Sequence, residues 1–259
     1  MRQMIKNKDY FSLPIIITPY MKSLLLLALS TTFFLSSCDF IDGRRVDGNG
    51  NMKTEDRSVS EFRGVESSGS FDVYVSTGPQ SVKIEADENL LPLIETNVEG
   101  DQLKINSKRG FNLESHNGIK IFVTAPTFTK IHSYGSGNII SQSKISGTSP
   151  LDLGVTGSAD IKVEVEVPEV SADITGSGNI FIKGETKKFT AQVSGSGSVK
   201  GFDLKSEETK MEIAGSGDAD VFASVKLTVQ VSGSGDIRYK GNPSIEQQVS
   251  GSGSVKKVD

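Results

Sequence analysis

Residues 189–199 read FTAQVSGSGSV, and this stretch contains the pattern that decides the fold. Alternating apolar residues lead into a Gly-Ser-Gly turn, and another apolar residue, Val199, stands four positions after the first glycine. The turn recurs at intervals of 22, 19, 19, 20, 18 and 18 residues, with these first glycines: Gly135, Gly157, Gly176, Gly195, Gly215, Gly233 and Gly251. Six turns keep a second glycine: Gly137, Gly178, Gly197, Gly217, Gly235 and Gly253. A fixed period near twenty indicates stacked supersecondary units.

The flanking residues predict what each unit is. The position two before the first glycine is apolar in every copy except Ser133, and the position four after it is apolar in every copy. Period-2 alternation around these positions is typical of strands with one buried face. We therefore predict an all-β fold, a single-stranded parallel β-helix with about 18–22 residues per coil, in which the glycines form stacked corners. A β-sandwich is the competing fold, but it gives no reason for one turn to recur in register with its core residues.

The N-terminus predicts export. Residues 1–37 are interpreted as targeting sequence, with the signal peptide over 21–37: Lys22 is followed by an apolar run and then by Leu35-Ser36-Ser37-Cys38. This ending resembles the lipobox of bacterial lipoproteins, which implies lipid attachment at Cys38. A transmembrane anchor is the alternative, but the apolar run is too short for one. The first twenty residues fit a signal poorly, so Met21 is an alternative start to Met1.

The rest of the chain divides into a tether and one domain. Residues 38–57 are polar and glycine-rich, and we expect the lipidated cysteine and a flexible tether there, with Arg44 and Arg45 solvated in preference to touching anionic headgroups. We assign 58–259 to the β-helix: 58–130 as irregular N-terminal coils and cap, and 131–259 as regular repeats.

Several segments of the domain resemble a known family. The segments that carry the resemblance are Phe62-Arg63-Gly64-Val65, residues 71–75, residues 82–90, Leu103-Lys104-Ile105 and the Gly-Ser-Gly-Asn/Asp-Ile turns. Together they are similar to the auto-transporter adhesin head GIN domain family of bacterial envelope proteins, over roughly residues 55–255. The resemblance implies a right-handed parallel β-helix and an envelope location, and it brings no catalytic residues.

Catalytic and metal-binding chemistry finds little support in the residues. His116 and His132 have no acidic or histidine partner at helical spacing, and no acid–base pair or nucleophile elbow stands out. We predict no catalytic residues, no metal and no cofactor. The residues after each second-glycine position suggest one exception, because Asp218 and Asp236 occupy equivalent places and could share calcium. The column mixes Asn, Asp and Ser, however, and corner residues that bond to their own turn explain that mixture without a metal.

Charge and coil size limit the partners. The segment up to Cys38 holds four basic residues and one acidic residue, so the 28 basic and 32 acidic residues of the chain leave 24 and 31 in the mature protein, a net charge of −7. This disfavours nucleic acid, and it disfavours sustained contact with anionic lipid beyond the anchor. Short coils leave no internal cavity, so binding must use an outer face, and only the longer stretch 92–117 offers a groove.

We therefore predict a non-catalytic, adhesin-like protein on the cell envelope. A lipid anchor would attach it to the membrane, most simply the outer membrane, and its partner would be a glycan or an envelope or host protein. Weak self-association is expected through the last coil. The alternatives are a purely structural lipoprotein and a glycan-active enzyme.

Overall fold

The computed structural model describes residues 43–259, so the targeting sequence and Cys38 lie outside the described residues. Nine strands precede the regular repeats: β1 Arg44–Asp47, β2 Met52–Arg57, β3 Gly64–Gly69, β4 Asp72–Thr77, β5 Ser81–Asp87, β6 Ile94–Glu99, β7 Gln102–Ser107, β8 Phe111–Glu114 and β9 Lys120–Ala125. A 3-10 turn covers Leu91–Leu93. No helix in residues 43–259 has the length and hydrophobicity needed to cross a bilayer.

Fourteen strands form the repeats. They are β10 Lys130–Gly135, β11 Ile139–Ser141, β12 Ile145–Ser146, β13 Leu151–Gly157, β14 Asp160–Glu166, β15 Glu169–Gly176, β16 Asn179–Gly195, β17 Ser198–Lys200, β18 Leu204–Gly215, β19 Asp218–Phe222, β20 Lys226–Gly233, β21 Ile237–Lys240, β22 Ser244–Gly251 and β23 Val255–Lys257. Every pairing among them is parallel. The prediction of a parallel β-helix is confirmed, and the sandwich is excluded.

The corners stack in register along one edge of the solenoid. Each first glycine pairs with the next, from Gly135↔Gly157 to Gly233↔Gly251. The corner serine donates its backbone N–H to the preceding coil's glycine carbonyl, as in Ser177 N to Gly157 O at 2.8 Å. The strands before the corners form one sheet, which we call the leading sheet, and those after them form the trailing sheet.

An eighth corner precedes the seven that the repeat predicts. Gly69 has a φ of +126° and pairs with Gly135, so β3 and β4 form a coil in register with the repeats. The region expected to be irregular over 58–130 therefore contains one regular coil. Phe71 takes the place of the second glycine, which hides this corner in the sequence.

The segment between Gly69 and Gly135 builds a cap from β5–β9. Each antiparallel pair among the described strands includes a strand of this segment: β2–β5, β5–β9 and β6–β7. Phe62, Leu90, Ile94 and Phe128 are buried under them. The cap covers apolar side chains that an open first coil would expose to water.

The expected flexible tether is corrected for residues 44–57. β1 pairs in parallel with β8, and β2 pairs with β5. The backbone of these polar residues completes the edges of the cap, and Val46 packs against the core. Polar composition misled the sequence interpretation because an edge strand needs little apolar side-chain area to pair its backbone.

Candidate binding groove

The interior of the solenoid is filled by its own core. Inward side chains of both sheets, among them Ile161, Val193 and Leu227, are fully buried. Any ligand site must therefore lie on an outer surface, as the coil size predicts. A groove of about 650 Å³ lies on the trailing sheet.

Two unusually long coils build the walls of this groove. The coil of 22 residues after Gly135 breaks its strand at residues 142–144, and the coil of 20 residues after Gly195 breaks at 201–203. Gln142, Ser143 and Lys144 line one side, and Phe202 and Asp203 line the other. Sequence reasoning missed these insertions, although the intervals of 22 and 20 residues between corners, against 18 or 19 elsewhere, could have indicated the two coils that carry them.

The floor between the walls consists of β14 and β16. Lys162 pairs with Phe181, and Glu164 with Lys183, so four outward side chains form a flat base. Phe181 is 36% exposed, although most aromatic residues bury more of their surface. Three strand steps separate the walls, which gives a width of about 14 Å at the usual parallel spacing.

Lysines surround the exposed phenylalanine. Lys162 and Lys200 flank Phe181 in the ladder, and Lys162 Nζ lies 5.1 Å from the ring centroid. Beyond the wall, Arg238 and Lys240 lie 5.6 and 5.2 Å from the Phe202 ring. Contacts of this length allow cation–π attraction.

Outward aromatic side chains concentrate on the trailing sheet. Tyr74 and Phe122 stack with centroids 5.2 Å apart, and Phe222 lies under Lys205 at 4.3 Å. With Phe181 and Phe202, five aromatic residues therefore face outward there. On the leading sheet's repeat strands, Tyr134 is the exposed aromatic residue among the described ones. This asymmetry distinguishes the trailing sheet from an ordinary solvated surface.

A buried carboxylate anchors one end of the groove. The Asp220 side chain is 8% exposed and takes two bonds from Arg238, Nε–Oδ1 at 2.7 Å and Nη2–Oδ2 at 2.8 Å. Lys200 Nζ lies 3.3 Å from Oδ2. The hydrogen bond and charge of Asp220 raise the pKa of Arg238. Two cations, Arg238 and Lys200, therefore share the single negative charge of Asp220, which leaves a net positive charge toward the groove.

A second groove carboxylate, Glu164, is held ionised. Lys183 lies 2.9 Å from Glu164, and its hydrogen bond lowers the pKa of that carboxyl group. A general acid for glycosidic bond cleavage needs a raised pKa instead. Asp173 has a pKa raised by burial and by the charge of Asp152, but it lies on the leading sheet, away from the groove.

The two histidines and the aspartates that follow the corners, Asp218 and Asp236, do not line the groove. His116 is exposed, and His132 lies on the leading sheet with Nε2 3.0 Å from Asp152 Oδ2 and Nδ1 3.2 Å from the Tyr134 hydroxyl. Asp218 accepts the backbone N–H of Asp236 at 2.9 Å. The carboxylates that follow the corners therefore accept hydrogen bonds from the next coil, and not from their own turn as expected. Within residues 43–259, no cluster of three or more histidine, cysteine or acidic side chains is arranged to hold a metal.

The stretch 92–117, expected to offer a groove, forms part of the cap. It supplies β6, β7 and β8, which pair with each other or with neighbouring strands. The length of this stretch was expected to leave room for a groove, whereas β6 and β7 pair as an antiparallel hairpin. The groove instead results from small insertions in two regular coils.

Fold and groove together define a class: a capped parallel β-solenoid with an aromatic, lysine-rich outer face. Residues 61–243 match the family described as "Putative auto-transporter adhesin, head GIN domain". The chain belongs to this family, and the resemblance drawn from its residues is confirmed.

Solved structures with the same architecture come from Parabacteroides and Bacteroides species. A "putative lipid binding protein" from Parabacteroides distasonis is 27% identical, with a TM-score of 0.71 over 83% of this chain and 100% of that one. A "putative adhesin" from the same species is 26% identical, with a TM-score of 0.67 over 83% and 100%. A "putative adhesin" from Bacteroides fragilis shares the fold at 21% identity, with a TM-score of 0.78 over 82% and 100%. No curated protein matches the chain.

Proposed function

We propose that the protein is a lipid-anchored, adhesin-like component of the cell envelope that binds a glycan chain in the groove of its trailing sheet. Cys38 carries the anchor, the membrane it inserts into is the outer membrane, and the solenoid displays the groove. No catalytic step is part of this proposal. The single observation that carries it is the exposed Phe181 ring, which lies between Lys162 and Lys200 on the groove floor.

The chemistry of the groove suits a saccharide better than a peptide strand. The floor strands already pair their backbone groups on both sides, so a peptide cannot add to the sheet there. A sugar ring instead needs an apolar face to stack on and polar side chains for its hydroxyl groups. Phe181 supplies the apolar face. Lys183, Glu164 and Gln142 supply the polar side chains.

The description of one relative as a lipid-binding protein raises a second ligand class. An acyl chain needs an enclosed apolar cavity, but the core of this solenoid is filled and the groove carries seven charged side chains: Lys144, Lys162, Glu164, Lys183, Lys200, Asp203 and Asp220. These observations favour the glycan. They also disfavour the enzyme alternative, because Glu164 and Asp220 are both paired with cations.

A purely structural lipoprotein is the remaining alternative. The outward positions of the leading sheet mix serine, threonine and charges without an aromatic cluster, which suits a spacer. The trailing sheet does not share this composition.

Binding to a glycan array tests the proposal. Phe181→Ala should lower binding at least about five-fold, because stacking on an aromatic ring contributes about 1 kcal/mol or more. Tyr134→Ala removes an exposed aromatic side chain from the other sheet and should leave binding unchanged. An equal loss of binding in both variants, or no binding by the wild type, would refute the proposal that the groove binds a glycan. Mass spectrometry of the cellular protein separately tests acylation at Cys38.

A further inference from the structure

The cap carries a cationic edge close to the point where the chain enters the described domain. Arg44 begins β1, and its backbone N–H bonds to the Gly110 carbonyl at 2.8 Å. Gly110 closes a turn that contains Lys108 and Arg109. Three basic residues thus come together from two distant parts of the sequence.

These three side chains are available to a partner. Arg44, Lys108 and Arg109 belong to exposed residues, and none takes part in an ion pair within residues 43–259. The neighbouring Arg45 differs, because Asp47 and Glu114 neutralise it at 2.9 and 2.6 Å. The patch therefore keeps a net positive charge in a protein whose overall charge is negative.

Partly exposed apolar side chains adjoin the charges. Phe111 pairs with Arg44 in the β1–β8 ladder, and Leu93 accepts the backbone N–H of Lys108 at 2.7 Å. Both are only partly buried against the core. Basic side chains beside shallow apolar ones are the composition of surfaces that rest on anionic membranes.

The position of Arg44 in the chain indicates which partner this basic surface binds. It stands six residues after Cys38, and six residues span at most about 20 Å even when fully extended. A lipid on Cys38 would keep the start of β1 within that distance of the bilayer. A flexible tether through residue 57 would have allowed much more freedom, but β1 and β2 are folded.

We propose that Arg44, Lys108 and Arg109, with Phe111 and Leu93, form a docking surface for anionic phospholipid headgroups. Docking would hold the cap against the membrane, so that the anchor and the cap act as two membrane contacts. The orientation rests on the lipid anchor proposed above, whereas the affinity for anionic lipid belongs to the folded domain itself.

Vesicle sedimentation of the mature chain with Cys38→Ser, which cannot be acylated, tests the surface. The chain should bind phosphatidylcholine vesicles that contain phosphatidylglycerol, and high salt should release it. Each basic side chain near an anionic surface favours binding about five-fold. K108E/R109E should therefore lower the partition coefficient at least about ten-fold, and R44E about five-fold.

A second double variant distinguishes binding by this patch from a general effect of the protein's charge. K256E/K257E reverses an adjacent, exposed basic pair on β23, at the opposite end of the solenoid, and should change binding less than about two-fold. Thermal unfolding followed by circular dichroism should show that all variants fold. Equal losses in the two double variants, or no preference of the wild type for anionic vesicles, would overturn the proposal. Because the assay uses unacylated protein, its result is independent of whether Cys38 is lipidated in cells.

Discussion

The two glycines of a corner have different physical roles. Gly195, a first glycine, has a φ of +127°, and a Cβ there would lie 2.4 Å from the Gly176 carbonyl oxygen. A Cβ on Gly197 would also be crowded, at 2.2 Å from the Gly178 oxygen, but Gly197 is not in the left-handed region. The same distinction explains why Ala159 occurs at a second position, while every described residue with positive φ is a glycine.

Gly195→Ala should therefore cost more stability than Gly197→Ala. Strained φ and a backbone clash together should lower the free energy of unfolding by about 2 kcal/mol or more, whereas the clash alone should cost less. Urea denaturation of the two variants measures the order. Ser196→Ala, at the exposed corner residue between them, should stay within about 0.5 kcal/mol of the wild type. A reversed order would contradict the role of φ.

A polar side chain is buried in the core, and a hydrogen bond accounts for its presence there. Ser133 interrupts the apolar column before the corners, and it is fully buried. Its hydroxyl group donates to the Gly137 carbonyl at 2.8 Å, which satisfies both groups.

The Asp152 carboxylate should make stability depend on pH. The hydrogen bond from His132 lowers the pKa of Asp152, with a smaller contribution from Ser171, while burial opposes the shift. A depressed folded pKa stabilises the protein above the unfolded value of about 3.9, and this stabilisation is lost as pH falls through the folded pKa.

Asp152→Asn should lower the free energy of unfolding at pH 7 by about 0.5 to 1 kcal/mol, a range that allows for solvent screening of a half-exposed group. Below the folded pKa the wild type and the variant should converge. Denaturation curves at neutral and strongly acidic pH provide the comparison. A constant difference across pH would argue against a charge effect.

At the scale of elements, the polar column beside the corners links successive coils. Asp218 accepts the N–H of Asp236, and Asp236 accepts both the N–H and the hydroxyl group of Ser254, at 2.9 and 2.7 Å. The two hydrogen bonds from Ser254, first that of its hydroxyl group and then that of its backbone N–H, lower the pKa of Asp236. The carboxylates therefore already have donors, which leaves less reason for them to share calcium.

Asp236→Ala should loosen the last coil locally. The Ser254 amide loses its acceptor, so its hydrogen exchange should become faster, while exchange in β14 stays unchanged. Hydrogen exchange followed by NMR measures both sites. Asp203→Ala, at an exposed turn of the groove wall, serves as the control. Unchanged exchange at Ser254 would show that the bond adds no protection.

At the scale of the whole molecule, the two ends of the solenoid differ. The N-terminal end is covered by β5–β9, whereas within the described residues nothing covers the outer edge of β22. Ile245 and Val249 stand in core columns, yet they are 41% and 38% exposed. Gln247 and Lys257 take other inward positions, which makes this edge partly polar.

Weak self-association through this edge remains a prediction. Unpaired strand groups beside apolar side chains favour edge pairing, and the polar substitutions limit it. Sedimentation at increasing concentration should show weak association that Val249→Lys reduces, with little change in unfolding because Val249 is half-exposed. Val225→Lys, which alters another exposed valine before β20, should not reduce it. A strict monomer at all concentrations would refute the prediction.

The sequence by itself determined the repeat. Periodic glycines and alternating apolar residues predict the parallel solenoid because each coil must present the same corner and the same inward face to its neighbours. Those constraints are local and recur, so seven corners could be read from the residues.

Only the tertiary structure decided the eighth corner at Gly69, the strands at 44–57 and the groove. Gly69 and Gly135 pair across 66 residues, β1 and β2 find partners far along the chain, and the groove forms between coils. Such pairings depend on which surfaces meet in space, because an edge strand or a groove wall gains its stability from a neighbour that its own residues do not specify.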